Sequence, residues 1–67
     1  MVVFVNNETL ELEQSETIPE VLKLINIPEP KGIAVAVNNA VVARIDWGNF
    51  TVKENDKITI IRATQGG

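Results

Sequence analysis

Gly32–Ala43 reads GIAVAVNNAVVA, and this alternation decides what the rest of the chain has to build. Successive side chains of a strand point to opposite faces, so Ile33, Val35 and Val37 share one face while Ala34 and Ala36 share the other. Asn38-Asn39 tolerates positive φ and turns the chain into a second short strand, Ala40 to Ala43. A strand that is bulky on one face and small on the other predicts a sheet covered on one side, with its bulky face toward the cover.

The cover lies just upstream, in TIPEVLKLI, Thr17–Ile25. Thr17 is placed to cap a helix with Glu20 reaching back three residues later, and Pro19 is tolerated in the first turn. Ile18, Val21, Leu22 and Ile25 follow at i, i+3, i+4 and i+7, which is one apolar stripe. Two turns do not persist alone in water, so the stripe must pack on the sheet. Pro28 and Pro30 are expected to end the helix, since each lacks an N–H and disfavours helix in the residue before it.

Further out, Val2–Val5 (VVFV), the turn residues Asn6-Asn7 and Thr9–Leu12 read as an amino-terminal hairpin. Downstream, ARIDWGNF is a compact connection carrying the single Trp, Asn55-Asp56 is a turn, and Lys57–Ala63 is the last strand. The resulting order is hairpin, helix, then two or three strands. It predicts an α+β fold of the β-grasp, or ubiquitin-like, kind: a four- to five-stranded mixed sheet with one main helix across one face. The expected organisation is one domain over residues 1–63 and a flexible C-terminal Gly-Gly tail over residues 64–67.

Composition removes most chemistries. With no Cys and no His, the chain has no disulfide, no thiolate nucleophile, no imidazole base and none of the usual zinc ligands. Ser15 is the only serine and has no partner base in type, so a nucleophile there is not expected. The net charge of −3 argues against nucleic acid, which calls for clustered Lys and Arg. No apolar run approaches the roughly 20 residues of a membrane span, and MVVFVNNE has no basic segment ahead of its apolar one. The expectation is a cytoplasmic protein without membrane or nucleic-acid partners, and the nine acidic side chains are read as a solvated surface.

The remaining motif is RATQGG, Arg62–Gly67. Two residues without side chains make the thinnest probe a chain can offer to a narrow site. The plain alternative is a frayed end or a remnant of expression. The strands suggest a second surface. Ile61 and Thr59 lie opposite Ile58 and Ile60, and Val3 and Val5 lie opposite Val2 and Phe4. Val3, Val5, Ala34, Ala36 and Ile61 are therefore expected to form a partner-facing apolar patch on the uncovered face, against the alternative of a sheet curled to cover both faces. Trp47 and Phe50 are read as packing residues.

Taken with the fold order and the length, GIAVAVNNAVVARIDW and KENDKITIIRATQGG resemble the thiamine-biosynthesis sulfur carrier protein family, ThiS, over the whole chain. Asn38, Val41, Val42, Arg44, Trp47, Asp56, Gly66 and Gly67 fall on that family's pattern, whereas Ala43 stands where it usually has proline and Asn55 where it usually has glycine. The resemblance implies a carrier rather than an enzyme. An E1-like adenylating enzyme would use ATP to activate the Gly67 carboxylate, and a sulfur donor such as a cysteine desulfurase would convert it to a thiocarboxylate. Thiazole synthase would consume that sulfur. Arg62, Gln65 and Gly66 are the expected tail-recognition residues, and no cofactor is expected to be bound permanently. The competing readings are a small-subunit carrier of the molybdopterin synthase type, a ubiquitin-like protein modifier and a non-carrier β-grasp interaction module.

Overall fold

The computed structural model describes residues 1–27 and 31–62. In chain order the elements are β1 (Val2–Val5), β2 (Glu8–Glu11), α1 (Ile18–Leu24), β3 (Ile33–Val37), β4 (Ala40–Val42), a 3-10 helix (Arg44–Asn49) and β5 (Lys57–Arg62). They form one five-stranded sheet in the order β2-β1-β5-β3-β4. The two ends of the described chain lie side by side in its middle: β1 and β5 pair in parallel, and every other pairing is antiparallel. This is the expected β-grasp arrangement, at the upper end of the expected strand count.

Asparagine makes most of the sharp turns. Six of the seven asparagines adopt positive φ: Asn6 and Asn7 between β1 and β2, Asn38 and Asn39 between β3 and β4, Asn26 after α1, and Asn55 before β5. Two consecutive positive-φ residues make the hairpin turn whose twist matches the flanking strands. Asn55 has φ 69°, so the position where the family usually has glycine does require a left-handed residue, and asparagine meets that requirement. Ala43, at φ −60°, sits at the angle a proline ring would fix.

Helix α1 begins as the sequence predicts. The Glu20 carboxylate accepts from the Thr17 backbone N–H at 2.9 Å and from the Thr17 hydroxyl at 3.0 Å. It ends earlier and for a different reason than expected. Asn26 takes φ 66°, its N–H donates to the Lys23 carbonyl at 3.1 Å, and the Ile27 N–H donates to the Leu22 carbonyl at 2.7 Å. These are the paired bonds of a Schellman stop, so the helix is closed by Asn26 before the prolines are reached. Pro28 and Pro30 lie outside the described residues.

The core is one cluster. Ile18, Val21 and Leu22 of α1 pack with Val3 and Val5 of β1, Ile33, Val35 and Val37 of β3, and Ile58 and Ile60 of β5, joined by Leu12, Trp47 and Val52. Ile25 is half-buried beside them, which completes the predicted stripe. Trp47 is buried, and its Nε1–H donates to the Val42 carbonyl at 2.9 Å, so the 3-10 helix closes one side of the core, as its reading as a packing residue anticipated. Phe50 packs at the cluster's edge.

The expected placement of Val3 and Val5 on the uncovered face is overturned. Val3 is fully buried and Val5 nearly so, both under the helix. The parallel register with β5 decides it, because Val5 lies beside Ile58 and Phe4 beside Lys57. KITI alternates polar and apolar without ambiguity, whereas VVFV is apolar throughout, so β5 imposes its parity on β1.

Candidate functional site

The strand that leads toward the carboxyl terminus, β5, lies at the centre of the sheet and is paired on both sides. On one side β5 pairs with β3 from Ile33↔Arg62 to Val37↔Ile58. Asn38 lengthens that ladder: its backbone N–H donates to the Lys57 carbonyl at 2.7 Å, and its carboxamide oxygen accepts from the Lys57 N–H at 3.0 Å. The carboxamide nitrogen of Asn38 donates to Asp56, whose other oxygen accepts from the Lys53 N–H at 2.7 Å.

On the other side β1 is short, and its own termini extend the ladder. The Val2 N–H donates to the Glu54 carboxylate, the Asn55 N–H to the Val2 carbonyl, the Phe4 N–H to the Asp56 carbonyl and the Asn6 N–H to the Ile58 carbonyl. Beyond the last strand pair, the Asn6 carboxamide substitutes for backbone. Its Oδ1 accepts from the Ile60 N–H at 2.8 Å, and its Nδ2 lies 3.5 Å from the Ile60 carbonyl as a donor. Asn6 was not singled out in the sequence, where the tandem asparagines signalled only a turn.

Arg62 ends β5 opposite Ile33 and is exposed. Of the expected tail-recognition and reaction residues, Arg62 alone is within the described chain; Gln65, Gly66 and Gly67 lie outside the described residues.

The uncovered face carries the alternate residues of the same strands. Ala34 and Ile61 are register partners there and both are exposed, Ile61 to 50%. Ala36 shares this face but is buried, flanked in register by Thr59 and Val41. The expected patch therefore keeps Ala34 and Ile61, retains Ala36 only as a floor, and exchanges Val3 and Val5 for Val2 and Phe4, which are half-buried. Val41, at 73% exposure, extends it toward the β4 edge. Two shallow depressions mark the face. One, of about 260 Å³, is lined by Phe4, Lys57, Thr59 and the two turns; the other, of about 280 Å³, by Gly32, Ile33, Ala34, Arg44 and Ile61.

Among the described residues no three His, Cys, Asp or Glu side chains gather as a metal site, and no buried side-chain polar atom lacks a hydrogen-bond partner. No described helix is long and apolar enough to cross a membrane. The Ser15 hydroxyl donates toward the Met1 sulfur at 3.5 Å. What the geometry offers is a sheet whose central strand, β5, runs to Arg62 beside an apolar face.

Comparison with known proteins agrees with that geometry. The model of the ThiS family matches residues 2–67. The chain is 25% identical over 67 residues to the sulfur carrier protein ThiS of Escherichia coli (strain K12), covering all of both chains. It superposes on a crystal structure of the thiamine biosynthesis protein ThiS from Geobacter metallireducens with a TM-score of 0.85, at 23% identity and with both chains covered in full. A solution structure of a thiamine biosynthesis protein from the same organism matches with a TM-score of 0.79 at 25% identity, covering this whole chain and 88% of the other.

Proposed function

The chain belongs to the ThiS family, and from that premise we propose that it is a sulfur carrier of thiamine biosynthesis whose cargo is a thiocarboxylate on Gly67. The observation that supports this most directly is that the family match runs through Gly67, while β5, the central strand of the sheet, ends at Arg62. An adenylating partner joins the Gly67 carboxylate oxygen to the α-phosphorus of ATP and releases pyrophosphate. The outer sulfur of a persulfide on a donor of the cysteine desulfurase kind then attacks the carbonyl carbon and AMP leaves, because a carboxylate becomes a usable electrophile only with such a leaving group. A second thiol cleaves the resulting acyl disulfide, leaving the thiocarboxylate on Gly67 and a disulfide on the donor cysteine. Thiazole synthase takes the sulfur.

Residues 64–67 act as the probe that enters the nucleotide site, with Gly66 lacking the Cβ that would widen it and with Gln65 and Arg62 guiding it. Ile61, Ala34 and Phe4 give the partner its apolar footing. In this role the protein is a co-substrate, and the chemistry belongs to its partners.

The test is ATP–pyrophosphate exchange with the cognate adenylating enzyme. Exchange should vanish on deletion of Gly67 and in Gly66→Val, and should only diminish in Arg62→Gln. After addition of the sulfur donor, the intact mass should rise by sulfur in place of oxygen. Undiminished exchange without Gly67 would refute the reading.

A further inference from the structure

The sheet has two outer edges, and they are built differently. The Asn38 N–H donates to the Lys57 carbonyl, so Asn38, Ala36 and Ala34 turn their backbone groups toward β5, while Val37, Val35 and Ile33 turn theirs toward β4. Ala40 and Val42, the register partners of Val37 and Val35, therefore face inward. The N–H and C=O of Val41 are left pointing out of the sheet, and among the described residues no hydrogen bond reaches them.

At the opposite edge the Phe4 and Asn6 N–H groups face β5, so Val3 and Val5 face β2, and it is Thr9 and Glu11 whose backbone groups point outward. That edge is guarded. Glu8 and Glu11 put two carboxylates on a four-residue strand, and an added strand would have to take water from them. Ala40–Ala43 carries no charge at all, and its shortness limits what can pair with it to a short segment.

A groove runs beside the open edge. It measures about 430 Å³ and has Val37, Val42 and Phe50 as its apolar lining, with Asp46 and Asn49 at its polar side. Val37 is buried, Val42 and Phe50 are half-buried, and Asp46 is exposed. Val37 and Val42 point to the helix-covered side of the sheet, so a strand added to β4 would lay alternate side chains over this groove and the others beside Val41 on the open face. Among the described residues Asp46 is the only titratable one lining it. Arg44, two positions earlier, lines the separate depression of Ala34 and Ile61, and its guanidinium carbon lies 5.4 Å from the centroid of the Trp47 ring.

We propose that the β4 edge accepts an extended segment of a partner protein, paired through its backbone to Val41, with a β-branched apolar side chain in the groove. Lys or Arg two positions away, on the same face of that segment, meets Asp46. Backbone pairing supplies the affinity, and the groove with its one carboxylate supplies the choice of sequence. The edge and its groove support this whether or not the chain carries sulfur.

The probe is a blocked peptide, acetyl-Thr-Arg-Thr-Val-Thr-Arg-Thr-amide, whose valine and two arginines share a face. It is titrated to several millimolar into the isotopically labelled full chain, and amide resonances are followed at about 0.05 and about 0.5 M salt, where surface charges act and are screened respectively. The Val41 amide proton should move downfield and exchange with solvent several-fold more slowly. Asp46→Lys should weaken binding about fivefold at low salt and little at high salt, and glutamate for both arginines of the peptide should act alike. Val41→Pro should abolish binding in a folded protein, because proline is tolerated where the N–H of an edge strand faces outward. Asp46→Lys, at an exposed position, serves if that variant fails to fold. No change at Val41 over the titration would overturn the proposal. So would shifts centred on Thr9 and Glu11 of the acidic β2 edge that ignore Asp46→Lys. Slowed exchange at Val41 on concentrating the chain without peptide, with dimers in sedimentation, would give the edge to a second copy and overturn it too.

Discussion

The two faces of the sheet are made by the same strands and differ in everything else. Under α1 the strands present Val3, Val5, Ile33, Val35, Val37, Ile58 and Ile60, all buried. On the other side, one residue along, they present Val2, Phe4, Ala34, Ala36, Thr59 and Ile61, of which Ala36 alone is buried. The first face supplies the burial that holds a chain this small together. The second is apolar enough to be useful and exposed enough to be dispensable for folding. Burial is divided by strand parity, and on the proposed reading recognition is too, so substitutions at adjacent residues should separate the two.

The largest expected effect is on the covered face. Ile60→Ala removes a buried branched side chain and should cost about 2–5 kcal/mol, read as a shift of the denaturant midpoint at constant slope. Ile60 and Ile61 are neighbours in β5 at 8% and 50% exposure. Equal losses from Ile60→Ala and Ile61→Ala would show that both faces are structural and remove the division.

Next comes Asn6, which joins the faces by extending the sheet where β1 runs out. Asn6→Ala loses the carboxamide bonds to Ile60 and forces a Cβ-bearing residue without Asn's tolerance to φ 49°, at about 2 kcal/mol together. Asn6→Gly relieves the backbone but not the lost bonds, so it should retain about 1 kcal/mol of the loss. Asn7→Gly should be near neutral. Chemical denaturation of the three variants separates the terms, and an Asn6→Gly protein as stable as wild type would show the carboxamide bonds to be idle.

These cases also mark what was legible. The fold was readable because three features agreed: the alternation of GIAVAV, the stripe of Ile18, Val21, Leu22 and Ile25, and paired asparagines where hairpins needed positive φ. The parity of β1 was not readable, because VVFV offers the same hydrophobicity to both sides and only its register with KITI chooses between them. The helix stop was misplaced because Asn26 carries a weaker sequence signal than the prolines after it, although its Schellman bonds close the helix first. Of the site, Ile61 and Ala34 were visible from alternation. Phe4 was lost with the parity of β1.

A smaller effect is expected at the start of α1 and is visible through pH. The Glu20 carboxyl is held below its ordinary value, chiefly by the hydrogen bond it accepts from the Thr17 backbone N–H and then by the Thr17 hydroxyl. Its contribution is therefore complete above the ordinary glutamate range and is lost as the pH falls through the lowered folded value. Glu16 beside it is pushed up, first by loss of water and then by Glu20, so its charged form opposes folding near neutrality. Glu20→Gln should reduce stability at neutral pH and leave it unchanged in acid, while Glu16→Gln should raise it slightly at neutral pH. Melting curves across the acid range check both signs, and a pH-independent Glu20→Gln difference would place the effect elsewhere.

The smallest effect on stability should come from the open face, at Ile61. Ile61→Thr keeps the β-branched shape that suits a strand and removes one apolar group from a position already half in water, so the change should stay within about 0.5 kcal/mol. Binding should respond differently. Under the proposed docking this side chain would be covered, and replacing an alkyl group by a hydroxyl there would leave a polar atom without a partner against an apolar surface. The affinity for the adenylating partner should fall several-fold while the melting temperature hardly moves, and the loss should persist at high salt. Ile61→Thr with wild-type affinity would mean that the open face is merely uncovered, leaving recognition to the terminal glycines.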